Sequence, residues 1–187
     1  MVEQINHTSF IHRVDGDGRI SFVSDAWLAF AAENGYRTTR SEQLGRPLLS
    51  AIGGEENRHI YRLLIERVRT SARAVEFGYR CDSPETRRWM RMHHLPESDE
   101  VEFESLLLRL ESRPYAPLIE ARQGPSAASD VLSMCSWCKA VLADQDWIEV
   151  EQAVRQLGLF ATDRMPRISH GICPDCRTRL LSLETAS

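Results

Sequence analysis

The fold is decided by three apolar segments, AVEFGYRC (residues 74–81), RRWMRMHHL (87–95) and VEFESLLLRL (101–110). In the first segment, Val75, Phe77 and Tyr79 alternate with polar or small residues, which is typical of a strand with one buried face. The short connections DSPET and PESDE are rich in residues that favour turns. The sequence therefore predicts a three-stranded antiparallel meander.

The residues before this meander predict two strands and two helices. Strands at 10–14 and 20–23 flank the turn sequence DGDG, and Asp-Gly pairs favour tight hairpins. Asp25 is placed to cap a first helix that ends at Asn34-Gly35, and a longer amphipathic helix covers residues 55–70. The predicted order is β-β-α-α-β-β-β.

This order of elements resembles the PAS sensor domain over residues 8–112. The segments VSDAW and LGRPL resemble stretches found at corresponding places in PAS domains, and RCDSPETRRWMR is similar to a stretch in a group of bacterial PAS-like proteins. The resemblance implies an α+β fold with a five-stranded antiparallel sheet and flanking helices. It also implies a sensor domain, at residues 1–112, whose ligand the sequence does not identify.

After Arg113 the composition changes to PYAPLIEARQGPSAASD, which has three prolines and little periodicity. Such a composition is typical of linkers. We therefore predict a linker over residues 113–130, beginning with a docked segment at 115–119, and a separate module over residues 131–187.

Two Cys-x-x-Cys pairs dominate this module: Cys135 with Cys138, and Cys173 with Cys176. Four thiolates in a tetrahedron are a preferred ligand set for structural zinc. Redox-active pairs usually occur singly at a helix start in a thioredoxin-like βαβ pattern, which this sequence lacks. We predict a small α-rich module stabilised by structural zinc, with redox chemistry and simple packing as alternatives.

Local patterns predict two helices in this module. Asp146 and Glu149 match a capping box, and Gly158 would end the helix that follows. Pro174 stands at a favoured first position of a second helix.

Polar residues near the cysteines suggest supporting roles. Lys139, Arg177 and Arg179 would offset the thiolate charge. His170 is expected to hydrogen-bond a thiolate, since four cysteines already complete the zinc shell; direct ligation and a surface position are the alternatives.

The motifs CSWCK and SHGICPDC, over residues 131–181, closely resemble a C-terminal segment attached to PAS, GAF and receiver domains. Those proteins belong to bacterial two-component signalling systems. The resemblance implies a signalling context without giving the segment a biochemical role.

The other cysteine and histidine residues are not expected to have functional roles. Cys81 is expected to be an inert buried thiol, and His93 and His94 point to opposite faces of one strand. His59 lies where some haem-binding PAS domains place an axial ligand, but we expect a surface histidine and no haem.

Three arginines, Arg80, Arg87 and Arg88, could contact an anion or a partner. The favoured alternative is that they pair with Asp82, Glu85 and the acidic segment ESDEVEFE.

Composition limits the function. The 187 residues carry a net charge of -4, and Lys139 is the only lysine among 23 basic residues. The sequence shows no membrane-spanning segment, no basic stripe for nucleic acid and no combination of nucleophile, base and orienting residue. We expect a cytoplasmic bacterial sensory protein without enzymatic activity, acting on another signalling protein and able to form a homodimer through the PAS-like domain. A zinc-dependent DNA-binding regulator and a thiol redox switch are the alternatives.

Overall fold

A computed structural model describes residues 8–97, 99–120, 131–158 and 166–185. The N-terminal part contains a five-stranded sheet in which every neighbouring pair is antiparallel, with the order β2-β1-β5-β4-β3. Its strands are β1 (Ser9–Val14), β2 (Ile20–Val23), β3 (Val75–Arg80), β4 (Thr86–Glu97) and β5 (Glu100–Ser112). The β3-β4-β5 meander is the one that the sequence predicted.

Helices lie between β2 and β3 in the sequence. They are α1 (Asp25–Glu33), α2 (Arg40–Gln43), a 3-10 turn (Leu48–Ala51) and α3 (Glu55–Ser71). The cap of α1 is Ser24 and not Asp25 as expected, because the Ser24 hydroxyl accepts a hydrogen bond from the amide of Trp27. Gly35 follows this helix with φ of 81°, as the sequence predicted.

The long helix α3 covers the core face of the meander. Its Ile60, Leu64 and Val68 are buried in one cluster with Phe77 and Phe103 of the sheet. The predicted α+β fold with a five-stranded antiparallel sheet and flanking helices is therefore confirmed.

The C-terminal part contains a second sheet, which the sequence analysis did not predict. Its order is β8-β7-β6-β9, and β6 and β9 run parallel. The elements are β6 (Val131–Cys135), β7 (Val141–Ala143), β8 (Asp146–Ile148), α5 (Val150–Gln156), β9 (Arg167–Gly171) and α6 (Pro174–Thr185). Helix α6 begins at Pro174, as predicted.

The predicted capping box at Asp146 and Glu149 is wrong. Asp146 begins strand β8, and Trp147 pairs with Leu142 of β7. Helix α5 starts only at Val150, and Glu149 makes no side-chain cap bond. The hairpin pairing is stronger than the local helix signal, because it buries apolar residues on both strands.

The first part of the predicted linker is packed against the C-terminal sheet. Residues Pro117–Glu120 form the short helix α4, and Leu118 is buried in a cluster with Met134, Val141 and Val154. This agrees with the docked segment expected at 115–119. Residues 121–130 lie outside the described residues, and the division of the chain at 112 and 130 stays a prediction.

Two histidines lie on the core face of the five-stranded sheet, His94 fully buried and His12 partly buried. His12 of β1 and His94 of β4 both lie opposite Phe103 of β5, and their rings contact the Phe103 ring. Within the described part of the chain, the ring nitrogens of both histidines lack hydrogen-bond partners. Burial lowers the pKa of His12 to about 4 and that of His94 to about 3.

These histidines predict a loss of stability in mild acid. Both pKa values lie below the ordinary value of 6.5, so the unfolded chain binds protons more readily. Stability is then complete above pH 6.5 and falls as the pH drops toward 4, by about 1.4 kcal/mol per pH unit for each imidazole. Urea unfolding of wild type and His94→Phe at pH 7 and pH 5 tests this.

The variant is expected to lose less stability than wild type between the two pH values. The exposed His59 provides the control, and His59→Gln should follow wild type. An equal loss in wild type and His94→Phe would contradict this role of the buried imidazole.

Candidate metal centre

Parallel pairing of β6 and β9 brings the two cysteine pairs together. Cys135, the last residue of β6, lies opposite Gly171, the last residue of β9. The chain leaves both strands at the same edge of the sheet, so the Cys135–Cys138 turn lies beside Cys173 and the start of α6. Cys176 occupies the first turn of that helix.

The four cysteines form one compact group. All four Sγ atoms lie within 4.8 Å of one another, and the Sγ atoms of Cys138 and Cys173 are 3.7 Å apart. A tetrahedral zinc with bonds near 2.3 Å places its sulfurs about 3.8 Å apart. All four are free thiols, so their arrangement could hold a metal ion.

Backbone hydrogen bonds fix the conformation of the Cys135–Cys138 turn. The amide of Lys139 donates to the carbonyl of Cys135, at 3.0 Å, and the amide of Cys135 donates to the carbonyl of Ala140, at 2.7 Å. Lys139 adopts φ of 66°, which reverses the chain directly after Cys138. The turn therefore directs the sulfurs of both Cys135 and Cys138 toward Cys173 and Cys176.

Electrostatics around the sulfurs favour a cation. Hydrogen bonds from the Cys138 and Cys176 thiols lower the pKa of Cys135, and the interactions with Cys135 raise the pKa of the other two. One thiolate is thus stabilised by protons on its neighbours. A divalent cation would stabilise all four thiolates at once.

Nitrogen donors also lie near the sulfurs. The amide of Cys176 is 3.4 Å from the Cys173 sulfur, and the guanidinium of Arg179 is 3.6 Å from the Cys176 sulfur. Lys139 instead donates to the Ser136 carbonyl, and Arg177 pairs with Glu56 of α3. Of the three cations predicted to offset thiolate charge, Arg179 directly contacts a ligand sulfur.

Trp137 joins the cysteine turn to the core of the N-terminal domain. Its side chain is only 3% exposed. The indole stacks on Tyr61 at 5.4 Å and packs edge-on against Phe77 at 5.1 Å. Its Nε1 donates to the Oδ1 of Asn57. One of the two residues between the cysteines of the first pair is therefore part of the N-terminal core.

The C-terminal part also covers the free edge of the five-stranded sheet. Strand β3 is an edge strand, and the amide of Arg80 donates to the carbonyl of Trp137 at 2.7 Å. Arg179 donates to the carbonyl of Gly78. Exposed sheet edges favour non-specific pairing, so this contact protects the sheet as well as fixing the module.

A buried ion-pair network completes the contact between the two parts. Asp82, whose side chain has no exposed surface, pairs with Arg80 and Arg113. Arg113 and Arg87 both reach Glu151 of α5, and Arg80 also reaches Glu149. Removing Asp82 would deprive the buried side chains of Arg80 and Arg113 of their shared partner, which is strongly destabilising.

The candidate anion-binding arginines therefore already have partners within the chain. Arg80 and Arg87 take part in the network, and Arg88 donates to Asn34 and to the carbonyl of Cys81. Glu149 and Glu151 are partners that the sequence analysis did not anticipate. They lie more than sixty residues away in sequence from Arg80 and Arg87, and no local pattern links them.

The remaining candidates are dispersed. His170 is exposed and lies against Gly53, and the group of possible metal ligands among the described residues contains the four cysteines without it. Burial raises the pKa of Cys81. His93 pairs with Glu76 and Glu104 on the outer face of the sheet, and His59 is exposed on α3.

Sequence reasoning missed the roles of Trp137 and Asn57. Asn57 is 1% exposed, and its amide donates to the Gly53 carbonyl and to the Ser136 hydroxyl. The one available signal was the indole itself, because a large apolar side chain inside a cysteine turn needs a hydrophobic surface to cover it. Nothing in the sequence indicated which surface that is.

Gly54 lies at a close approach of the two parts and supports a prediction. Gly54 has φ of 82°, and a Cβ at this position would collide with the carbonyl oxygen of His170. Gly18 has a similar φ of 74° but open space around it. Gly54→Ala should destabilise the protein by at least about 2 kcal/mol more than Gly18→Ala, which carries backbone strain alone.

Thermal and urea unfolding of the two variants give this comparison directly. Equal destabilisation by Gly54→Ala and Gly18→Ala would show that helix α3 and strand β9 do not approach each other as described.

Within the described part of the chain, none of the helices has the length and apolar character needed to cross a membrane.

No protein-family model and no curated protein sequence matches this chain. Solved structures do match it. One is a domain of an HTR-like protein from Haloarcula marismortui, with 15% identity and a TM-score of 0.41, over 54% of this chain and 97% of that chain. Another is the sensory box sensor histidine kinase from Vibrio cholerae, with 10% identity and a TM-score of 0.40, over 54% of this chain and 82% of that chain.

A third is the photoactive yellow protein domain of the sensor histidine kinase Ppr from Rhodospirillum centenum. It shares 16% identity with a TM-score of 0.37, over 52% of this chain and 89% of that chain. Each of the three is thus similar to about half of this chain.

Proposed function

We propose that this chain is a sensory or regulatory signalling protein in which a PAS-like domain and a zinc-loaded four-cysteine module act as one unit. The observation that carries the proposal is the position of Trp137. Its backbone belongs to the cysteine turn, and its indole belongs to the core of the PAS-like domain. A change in either part would therefore alter the packing of the other.

Zinc is the metal that we assign to the cysteine group. Four thiolates are soft ligands, and a tetrahedral sulfur set favours zinc or an iron-sulfur centre over hard cations such as magnesium and calcium. Cys135, Cys173 and Cys176 are buried and Cys138 is partly buried, and together they offer four ligands, which is the closed shell of a structural site. Zinc would hold the turn, and with it Trp137, in place. The reduced thiols suit a cytoplasmic protein.

Output would pass to another protein through a surface contact, without catalysis by this chain. Leu108 and Leu110 at the end of β5 are each 42% exposed, and Tyr115 just beyond is 46% exposed. Such neighbouring apolar side chains are a suitable surface for a signalling partner or for a second copy of the chain.

The proposal is tested on the purified full chain by metal analysis combined with thiol alkylation. We expect about one zinc per chain, and four thiols that resist alkylation until a chelator is added. Metal-loaded and chelated chain are then used as paired baits for a signalling partner. We expect the loaded form to retain the partner and the chelated form to lose it.

Other outcomes would favour the alternatives. Thiols that alkylate at once and form disulfides with mild peroxide would support a redox switch. Salt-sensitive retention on DNA by the metal-loaded chain would support a DNA-binding regulator.

A further inference from the structure

A cavity of about 290 Å³ lies where the PAS-like domain meets the cysteine module. Its lining comes from both parts: Tyr61, Tyr79 and Cys81 from one side, and Ser136, Trp137 and Lys139 from the other. The volume is at the lower end of the range of about 300–1,000 Å³ that is usual for small-molecule sites. Size alone therefore limits an occupant to a small organic molecule.

The walls of this cavity are aromatic. The stacked rings of Tyr61 and Trp137 are 5.4 Å apart, and Tyr79 also lines the cavity. Flat apolar groups pack well against such surfaces. An occupant with a planar unsaturated body fits this part of the site.

The polar groups of the cavity are hydrogen-bond donors. Lys139 donates to the Ser136 carbonyl at 2.8 Å but forms no ion pair with any residue in the described ranges. The hydroxyl of Tyr61 also lacks a partner among those residues. Ser136 accepts from Asn57 through its hydroxyl oxygen, so its own proton remains free to donate. The Lys139 amine and two hydroxyl donors around one cavity favour an occupant that accepts several hydrogen bonds, and a carboxylate, with two acceptor oxygens, fits this requirement.

We propose that this cavity binds a small carboxylate with a flat, unsaturated body, such as an aromatic acid. The carboxylate would accept hydrogen bonds from Lys139, Ser136 and Tyr61, and the planar body would lie between Trp137 and Tyr79. This inference rests on the proposed function, because it names the ligand class that the sensory protein would bind.

Calorimetric titration of the full, zinc-loaded chain tests the inference with benzoate and its neutral isostere benzamide. We expect saturable binding of benzoate at one site and at least tenfold weaker binding of benzamide. Lys139→Gln should weaken benzoate binding by about ten- to a hundredfold, because it removes a charge-assisted hydrogen bond. Arg73→Gln removes an exposed charge elsewhere and should leave binding unchanged.

Lys139 follows a candidate metal ligand, so zinc content is measured for every variant. If Lys139→Gln loses zinc, Tyr61→Phe tests the inference in its place. This variant keeps the aromatic ring but removes one hydrogen-bond donor, so it should weaken benzoate binding severalfold. Equal binding of benzoate and benzamide, no saturable benzoate binding, or wild-type affinity in a zinc-loaded Lys139→Gln would overturn the inference. If benzoate does not bind but the wild-type chain holds zinc, the inference fails and the proposed function stands. If the wild-type chain holds no zinc, the proposed function fails.

Discussion

Cys135→Ser is expected to abolish tight metal binding and to lower the free energy of unfolding by on the order of 5 kcal/mol. Cys135 has no exposed surface and belongs to the main hydrophobic cluster. Serine keeps the size of the side chain but removes the soft thiolate ligand. Because the four thiols tie the Cys135–Cys138 turn to the start of α6, a bound metal would supply much of the stability of this end of the module. Zinc content and urea unfolding at constant pH measure both effects.

The fifth cysteine provides a matched control for this substitution. Cys81 is a free thiol outside the four-sulfur group. Cys81→Ser should keep one zinc per chain and cost no more than about 1–2 kcal/mol. A Cys135→Ser protein with full zinc content and wild-type stability would mean that the four cysteines do not form a metal centre.

Trp137→Ala should destabilise the whole protein by about 3–5 kcal/mol, as expected for the loss of a large buried aromatic side chain. The indole fills the space between Tyr61 and Phe77, and its Nε1 donates to Asn57 at 3.1 Å. Alanine would leave a cavity in the core and an unpaired acceptor on Asn57. Chemical denaturation followed by circular dichroism measures the change.

Two further variants separate the contributions of the indole. Trp137→Phe keeps a ring between Tyr61 and Phe77 and loses the hydrogen bond, so it should cost about 1–2 kcal/mol. Trp89→Ala removes a partly exposed tryptophan from strand β4 and should cost less than Trp137→Ala. If Trp137→Ala costs no more than Trp89→Ala, the cysteine turn is not part of the core.

The strands and the long helix could be predicted because their signals are local. Alternation at Val75, Phe77 and Tyr79 matches β3, and the apolar face of Ile60, Leu64 and Val68 matches α3. Each prediction depends on the spacing of apolar residues, which is visible within a short stretch of sequence. The cysteine group was recognisable for a related reason, since ligand spacing within each turn is also local.

Contacts between distant parts of the chain could not be predicted in this way. The bond between Trp137 and Asn57 spans 80 residues, and β6 pairs with β9 across a long insertion. Neither the hydrogen bond nor the strand pairing produces a repeating pattern of residues in the sequence. The wrong capping box at Asp146 has the opposite cause, because a local helix pattern was overridden by pairing with β7.

Hydrogen exchange at the Arg80 amide is the most direct measurement of whether the four-cysteine group and the N-terminal domain act as one unit, as we propose. This amide, on the free edge of β3, donates to the Trp137 carbonyl within the cysteine turn. It should exchange slowly in the zinc-loaded chain and rapidly after chelation, while the amide of Phe103, in the central strand β5, stays protected in both states. Equal protection of the Arg80 amide with and without metal would contradict the coupling.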